Sequence, residues 1–137
     1  MNKIIEESGV VFGPFDSRDL FHIEKSEVLH GLGEGIKTVE FVLVRSKNQA
    51  LIFLEAKQSC PNKSHCNESQ TKRKKYEDYF QSIVNKIEDS IGITVAAILG
   101  RNGQTDEVGE NMQGASILGS RPLQFVLVLT DPNTEVL

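Results

Sequence analysis

The segment from Thr38 to Ser59, TVEFVLVRSKNQALIFLEAKQS, constrains the fold more than any other stretch of this chain. Two runs rich in β-branched residues, Val39–Val44 and Ala50–Leu54, flank the polar break Ser46-Lys47-Asn48-Gln49, which is the pattern of an antiparallel hairpin. With the turn centred on Lys47-Asn48, Glu40 falls opposite Glu55. Side chains alternate along a strand, so one face carries Glu40, Val42 and Val44 with Leu51, Phe53, Glu55 and Lys57. The other carries Phe41 and Leu43 with Ala50, Ile52, Leu54 and Ala56. Both faces are mostly apolar, which predicts a hairpin inside a sheet covered on both sides. Two opposed carboxylates at the end of such strands repel each other and require a reason.

The rest of the chain supplies elements to cover that hairpin. Residues 1–8 read as a frayed lead-in, and Val10-Val11-Phe12 and Leu20–Ile23 as two brief strands separated by turn residues, with Glu24, Lys25 and Glu27 closing the second. Gly31, Gly33 and Gly35 predict a loop or a single helical turn. Tyr76, Phe80, Ile83, Val84, Ile87 and Ile91 recur at helical spacing, predicting an amphipathic helix over about 74–91. Thr94–Leu99 fits either a helical continuation or a buried strand. Arg101–Pro122 reads as a long glycine-bearing loop with a brief turn at Ala115–Leu118, and the apolar run over about 123–130 reads as a late buried strand. The fold class expected is α/β, a single domain over 1–137, with a mixed central sheet around the hairpin at about 38–57.

Charge and composition narrow the function. A net charge of −4 argues against binding nucleic acid over the whole surface but permits a local basic groove. Lys72, Arg73, Lys74 and Lys75 are the candidate nucleic-acid contacts; the alternative is a solvated run at a loop–helix junction. They stand where a helix N-terminus would make each cation unfavourable by roughly 0.3–1 kcal/mol. No window approaches a membrane span, and the N-terminus lacks the apolar centre of a signal peptide, so a cytoplasmic location is expected. Cys60, His65 and Cys66 share a polar loop but match none of the common zinc spacings, and read as free thiols beside an isolated histidine.

Glu40, Glu55 and Lys57 on adjacent strands suggest a hard-cation site next to a basic group. Carboxylate oxygens suit Mg²⁺ or Mn²⁺, and a neighbouring lysine can orient or deprotonate a water aimed at a phosphodiester. The order of an acid on one strand (Val39-Glu40-Phe41), a hairpin, a strand ending Glu55-Ala56-Lys57, a helix and a further strand resembles the PD-(D/E)XK, or restriction-endonuclease-like, nuclease superfamily. Glu40 stands where aspartate is more usual there, and Gly35-Ile36-Lys37-Thr38 replaces a proline-bearing lead. The resemblance implies a metal-dependent nuclease hydrolysing nucleic-acid phosphodiesters. Glu40 and Glu55 would be metal ligands, Lys57 the catalytic cation and Glu24 a further acid. The alternative is a noncatalytic binding or assembly module of the same fold, its partner a protein, a nucleic acid or a second copy. A plain surface ion pair between Glu55 and Lys57 is the blander reading.

Overall fold

In the computed structural model, which describes residues 2–45, 50–58, 68–100, 107–113 and 122–130, the central hairpin has the predicted register. Phe41 faces Leu54, and Val44 faces Leu51. In chain order the strands are β1 (Asn2–Glu7), β2 (Val10–Asp16), β3 (Leu20–Phe21), β4 (Phe41–Val44), β5 (Leu51–Lys57) and β6 (Leu123–Leu129); the α-helices are α1 (Glu27–Gly31) and α2 (Gln70–Ile98). Among the described residues β1 and β2 pair only with each other. The other four form a mixed sheet ordered β3-β4-β5-β6, antiparallel except for the parallel β5–β6 pair. Residues 46–49, the Cys60–Cys66 loop and the expected turn at Ala115–Leu118 lie outside the described residues.

Both faces of the hairpin are covered, as its two-sided apolar pattern requires. On one face Phe21, Val42, Val44, Leu51 and Phe53 pack against Ile93, Ala97 and Ile98 of α2. On the other, Leu20 and Phe41 pack against Ile5, Phe12 and Phe15 of the β1–β2 hairpin. The Phe12 and Phe15 rings lie 5.5 and 5.3 Å from the Phe41 ring, within the range of favourable aromatic pairing. The lead-in expected over residues 1–8 is therefore corrected. Ser8 and Gly9 both adopt positive φ, 52° and 80°, and close a two-residue turn between the partners Glu7 and Val10. Burial of Ile5 then holds β1 in place.

The helix is longer than the 74–91 expected because both ends carry stop signals outside the apolar run. Ser69 accepts a hydrogen bond from the Lys72 N–H and caps the N-terminus. Gly100, at φ 74°, ends the helix after Leu99. Thr94–Ile98 resolves to helix, since Ile93, Thr94, Ala97 and Ile98 are buried against the sheet, and that burial outweighs the roughly 1 kcal/mol propensity cost of Gly92. The buried stripe is also rotated from the expected one. Ile83, Ser90, Thr94 and Ala97 face inward, whereas Val84 is 43% exposed.

β6 forms where the apolar run predicted a strand, but it is not buried. Leu123 is 53% exposed and Val126 37%. Only Phe125 of this strand packs against the cluster under α2. Among the described residues no helix is long and apolar enough to cross a membrane.

The segment 107–113 closes the opposite side of the sheet. The Gly109 N–H donates to Leu20 O at 2.9 Å, and the Glu107 carboxylate accepts from the Glu27 and Val28 N–H groups at 2.7 and 3.0 Å, capping α1. A Cβ on Gly109 would lie 2.4 Å from Arg18 O and 2.8 Å from Leu20 N, both backbone atoms. Gly109→Ala is therefore expected to lower unfolding stability by roughly 1–3 kcal/mol, the usual cost of overpacking, in a urea titration. A variant as stable as the wild type would show that this segment is free to move off β3.

Candidate metal centre

Four glutamates from four separate segments meet near the carboxyl end of β5. Glu55 comes from β5 itself, in the middle of the sheet, and is fully buried. Glu40 lies one residue before β4, and its position depends on two backbone hydrogen bonds. The Val39 N–H donates to Ser90 Oγ of α2 at 2.9 Å, and the Glu40 N–H to Leu54 O at 2.9 Å. The regular ladder ends at Phe41, so Glu40 sits in a bend beyond it. Directly opposed pairing with Glu55 is thus not formed. The carboxyls still come together, because Glu55 and Glu24 are the neighbours whose charge acts on Glu40. Glu24 arrives from the 3-10 turn Ile23–Lys25, whose backbone reaches Glu40 O through the Glu24 N–H at 3.5 Å.

Glu7 is the fourth acid, absent from the sequence-based set. It ends β1, and the turn after it is tied to the sheet by the Ser8 Oγ hydrogen bond to Ala56 O at 3.2 Å. One oxygen each from Glu7, Glu24 and Glu40 lie within 4.8 Å of one another. The Ser8-Gly9 dipeptide is a turn signal that marked this position in the sequence.

Two lysines stand beside the acids. Lys86 of α2 places Nζ 2.6 Å from Glu55 Oε2, with the two side chains 18% and 1% exposed. Lys57 shares a face with Glu55 two residues away, and its Nζ lies 6.0 Å from the centre of the Tyr79 ring. Their environments push them apart. Burial draws the Lys57 ammonium below the usual lysine range, and the neighbouring Lys86 adds to this against the pull of Glu55 and Glu40. Burial acts the same way on Lys86, but its contact with Glu55 outweighs it and the net shift is upward. Lys86 was missed because the apolar spacing set the wrong stripe. Once Ile83, Ser90 and Ala97 are seen to face inward, Lys86 falls at an inward position between Ile83 and Ser90.

The electrostatics of the acids are unresolved by protein groups alone. Glu40, 7% exposed, has its carboxyl pushed up to about 9, first by burial and then by Glu24 and Glu55. Burial and Glu24 also raise Glu7. Among the described residues, Glu40 Oε2 and Glu55 Oε1 are buried without a hydrogen-bond partner. Buried carboxylate oxygens without donors are unfavourable, and either a proton or a cation must answer them. A hard divalent cation suits this donor set. One carboxylate oxygen each from Glu7, Glu24 and Glu40, within 4.8 Å of one another, would be its protein ligands.

The basic run is not part of this group. Lys72 pairs with Glu68, which lies just before the Ser69 cap, and Lys74 pairs with Asp78 at 3.6 Å, one turn along α2. Lys74 precedes Lys86 by twelve residues, about 18 Å along the helix axis. Lys72, Arg73, Lys74 and Lys75 are all exposed. A separate cleft of about 740 Å³ is walled by Lys3, Arg18, His22 and Lys25 together with Glu107 and Glu110, and none of Glu7, Glu24, Glu40 and Glu55 lines it. The buried His22 Nε2 has no partner among the described residues, and burial lowers the imidazole below its ordinary range. No family model, no curated protein and no solved structure matches the chain.

Proposed function

We propose that this chain is a divalent-metal-dependent nuclease of the restriction-endonuclease-like class, hydrolysing nucleic-acid phosphodiesters. The observation that carries this reading is the convergence of Glu7, Glu24 and Glu40 beside Glu55, with two buried carboxylate oxygens that lack a partner among the described residues. Glu24, Glu40 and Glu55 would hold Mg²⁺ or Mn²⁺, with Glu7 as an added ligand. When bound, the cation would acidify a water and neutralise charge on the phosphoryl oxygens. Lys57, whose ammonium burial draws below the usual lysine range, would in its neutral form accept the proton of that water at Nζ. Lys86 keeps its proton against Glu55. Opposite tuning of two adjacent groups is the arrangement that acid–base work calls for.

The test combines two readouts on the wild-type chain. Mn²⁺ should raise the thermal midpoint, because a ligand bound only by the native state stabilises it. Single- or double-stranded DNA or RNA should be cut in Mn²⁺ and left whole in chelator. Absence of both effects rejects the nuclease.

The second reading is a noncatalytic binding or assembly module. Favouring it, among the described residues no strand pairs with the outer side of β6, and Leu123 and Val126 are exposed there. An unprotected edge of this kind invites a further strand. If a metal-free, inactive protein proved to be a dimer by light scattering, dissociated by a lysine at Val126, this reading would replace the first.

A further inference from the structure

The Lys86–Glu55 contact has properties that a plain structural ion pair does not require. It joins a fully buried carboxylate in the centre of the sheet to an ammonium carried on a different layer, and it engages one oxygen only. The second oxygen, Oε1, is buried beside Glu40 without a hydrogen-bond partner among the described residues. A structural pair in the interior is favourable when the remaining lone pairs are also satisfied. Here they are not.

We infer that Lys86 is a resident counter-ion of the acid group: it orients Glu55 by binding Oε2, keeps Oε1 free for an incoming divalent cation, and opposes that cation electrostatically. This rests on the metal-site reading above and gives Lys86 a positioning role in it. Without metal, Lys86 is the nearest charge compensating Glu55. With metal, the two cations share Glu55, and the ammonium weakens metal binding while holding the carboxylate in place. By Coulomb's law at an effective dielectric near 20, a unit charge a few ångströms from a divalent cation changes its affinity by several orders of magnitude before screening and relaxation. A gain of about tenfold on removing it is therefore a low threshold.

The test uses Lys86→Met, which keeps the length and apolar stem, and Lys86→Arg, which keeps the charge. In chelator, Lys86→Met should lower the thermal midpoint by on the order of 10 °C, since a buried carboxylate loses its partner. In Mn²⁺ the variant should recover most of that loss, and its Mn²⁺ affinity by calorimetry should be at least roughly tenfold tighter than that of the wild type. Lys86→Arg should resemble the wild type in both. A merely structural lysine would give the drop in chelator without tighter Mn²⁺ binding, and that result overturns the inference. If Lys86→Met does not fold in chelator, refolding it in Mn²⁺ provides the affinity by back-titration with chelator, and a value equal to the wild type is equally fatal. Failure of the metal site itself is distinguishable. There neither the wild type nor any variant binds Mn²⁺, and the counter-ion role falls with it.

Discussion

Lys57→Ala is expected to reduce Mn²⁺-dependent cleavage by roughly 10²–10³-fold, the scale of losing one preorganised contact to the reacting centre, while metal binding holds or tightens. The reasoning starts from position. Lys57 ends β5, shares a face with Glu55, and is half-buried against Tyr79 with its ammonium drawn below the usual range. Removing it would take away the proposed proton acceptor and one positive charge near the carboxylates, so turnover should fall and the cation should be bound no less well. Glu55→Gln should do the reverse. It preserves shape but removes the charge facing both Lys86 and the cation, so both the Mn²⁺-induced rise in midpoint and cleavage should be lost. Single-turnover cleavage and thermal unfolding with and without Mn²⁺ separate the two variants. If Lys57→Ala cut as fast as wild type while Glu55→Gln lost metal binding, the metal site would stand and Lys57 would be reassigned to structure.

The parts of the site legible in the sequence were those set by period and register. A two-residue alternation placed Glu55 and Lys57 on one face, and the polar break at Lys47-Asn48 set the pairing of Phe41 with Leu54 that brings Glu40 near Glu55. What was not legible depended on tertiary packing. Glu7 becomes a neighbour of Glu24 only because Ile5, Phe12 and Phe15 fold the N-terminal hairpin over Phe41. Lys86 becomes a partner of Glu55 only because small polar residues, Ser90 and Thr94, let α2 turn a different stripe to the sheet than its largest apolar residues suggested. β6 failed differently. Its apolar run signals a strand, but exposure of Leu123 and Val126 depends on how far the cover of α2 extends, which no local pattern encodes.

Stability in chelator is expected to fall as pH rises from about 6.5 to 8.5, the reverse of the behaviour of ordinary salt-bridged carboxylates. The native Glu40 carboxyl is pushed up to about 9, by burial first and by Glu24 and Glu55 next, whereas in the unfolded chain it titrates near 4.5. Between those values the native state holds a proton that the unfolded state has released. Stability on this account is fully present below the unfolded value and is lost as pH rises toward the folded one, with a limiting slope of roughly 1.4 kcal/mol per pH unit. Glu7, also raised, acts in the same direction at the lower end. His22, lowered by burial, acts oppositely, but its contribution is complete once pH exceeds the ordinary imidazole value of 6.5. Lys57 opposes the trend from the alkaline side, so the window near neutrality reads Glu40 most directly. Glu40→Gln, neutral at every pH, should flatten the slope, so that it gains on the wild type by about 2 kcal/mol between pH 6.5 and 8. Saturating Mn²⁺ should flatten or reverse the wild-type slope, because a cation that replaces the proton binds better as pH rises. Urea titrations across that window measure all three curves. A wild-type slope unchanged by Glu40→Gln would mean that the burial of Glu40 is relieved by a donor other than a proton, and the competition between proton and metal would no longer describe this site.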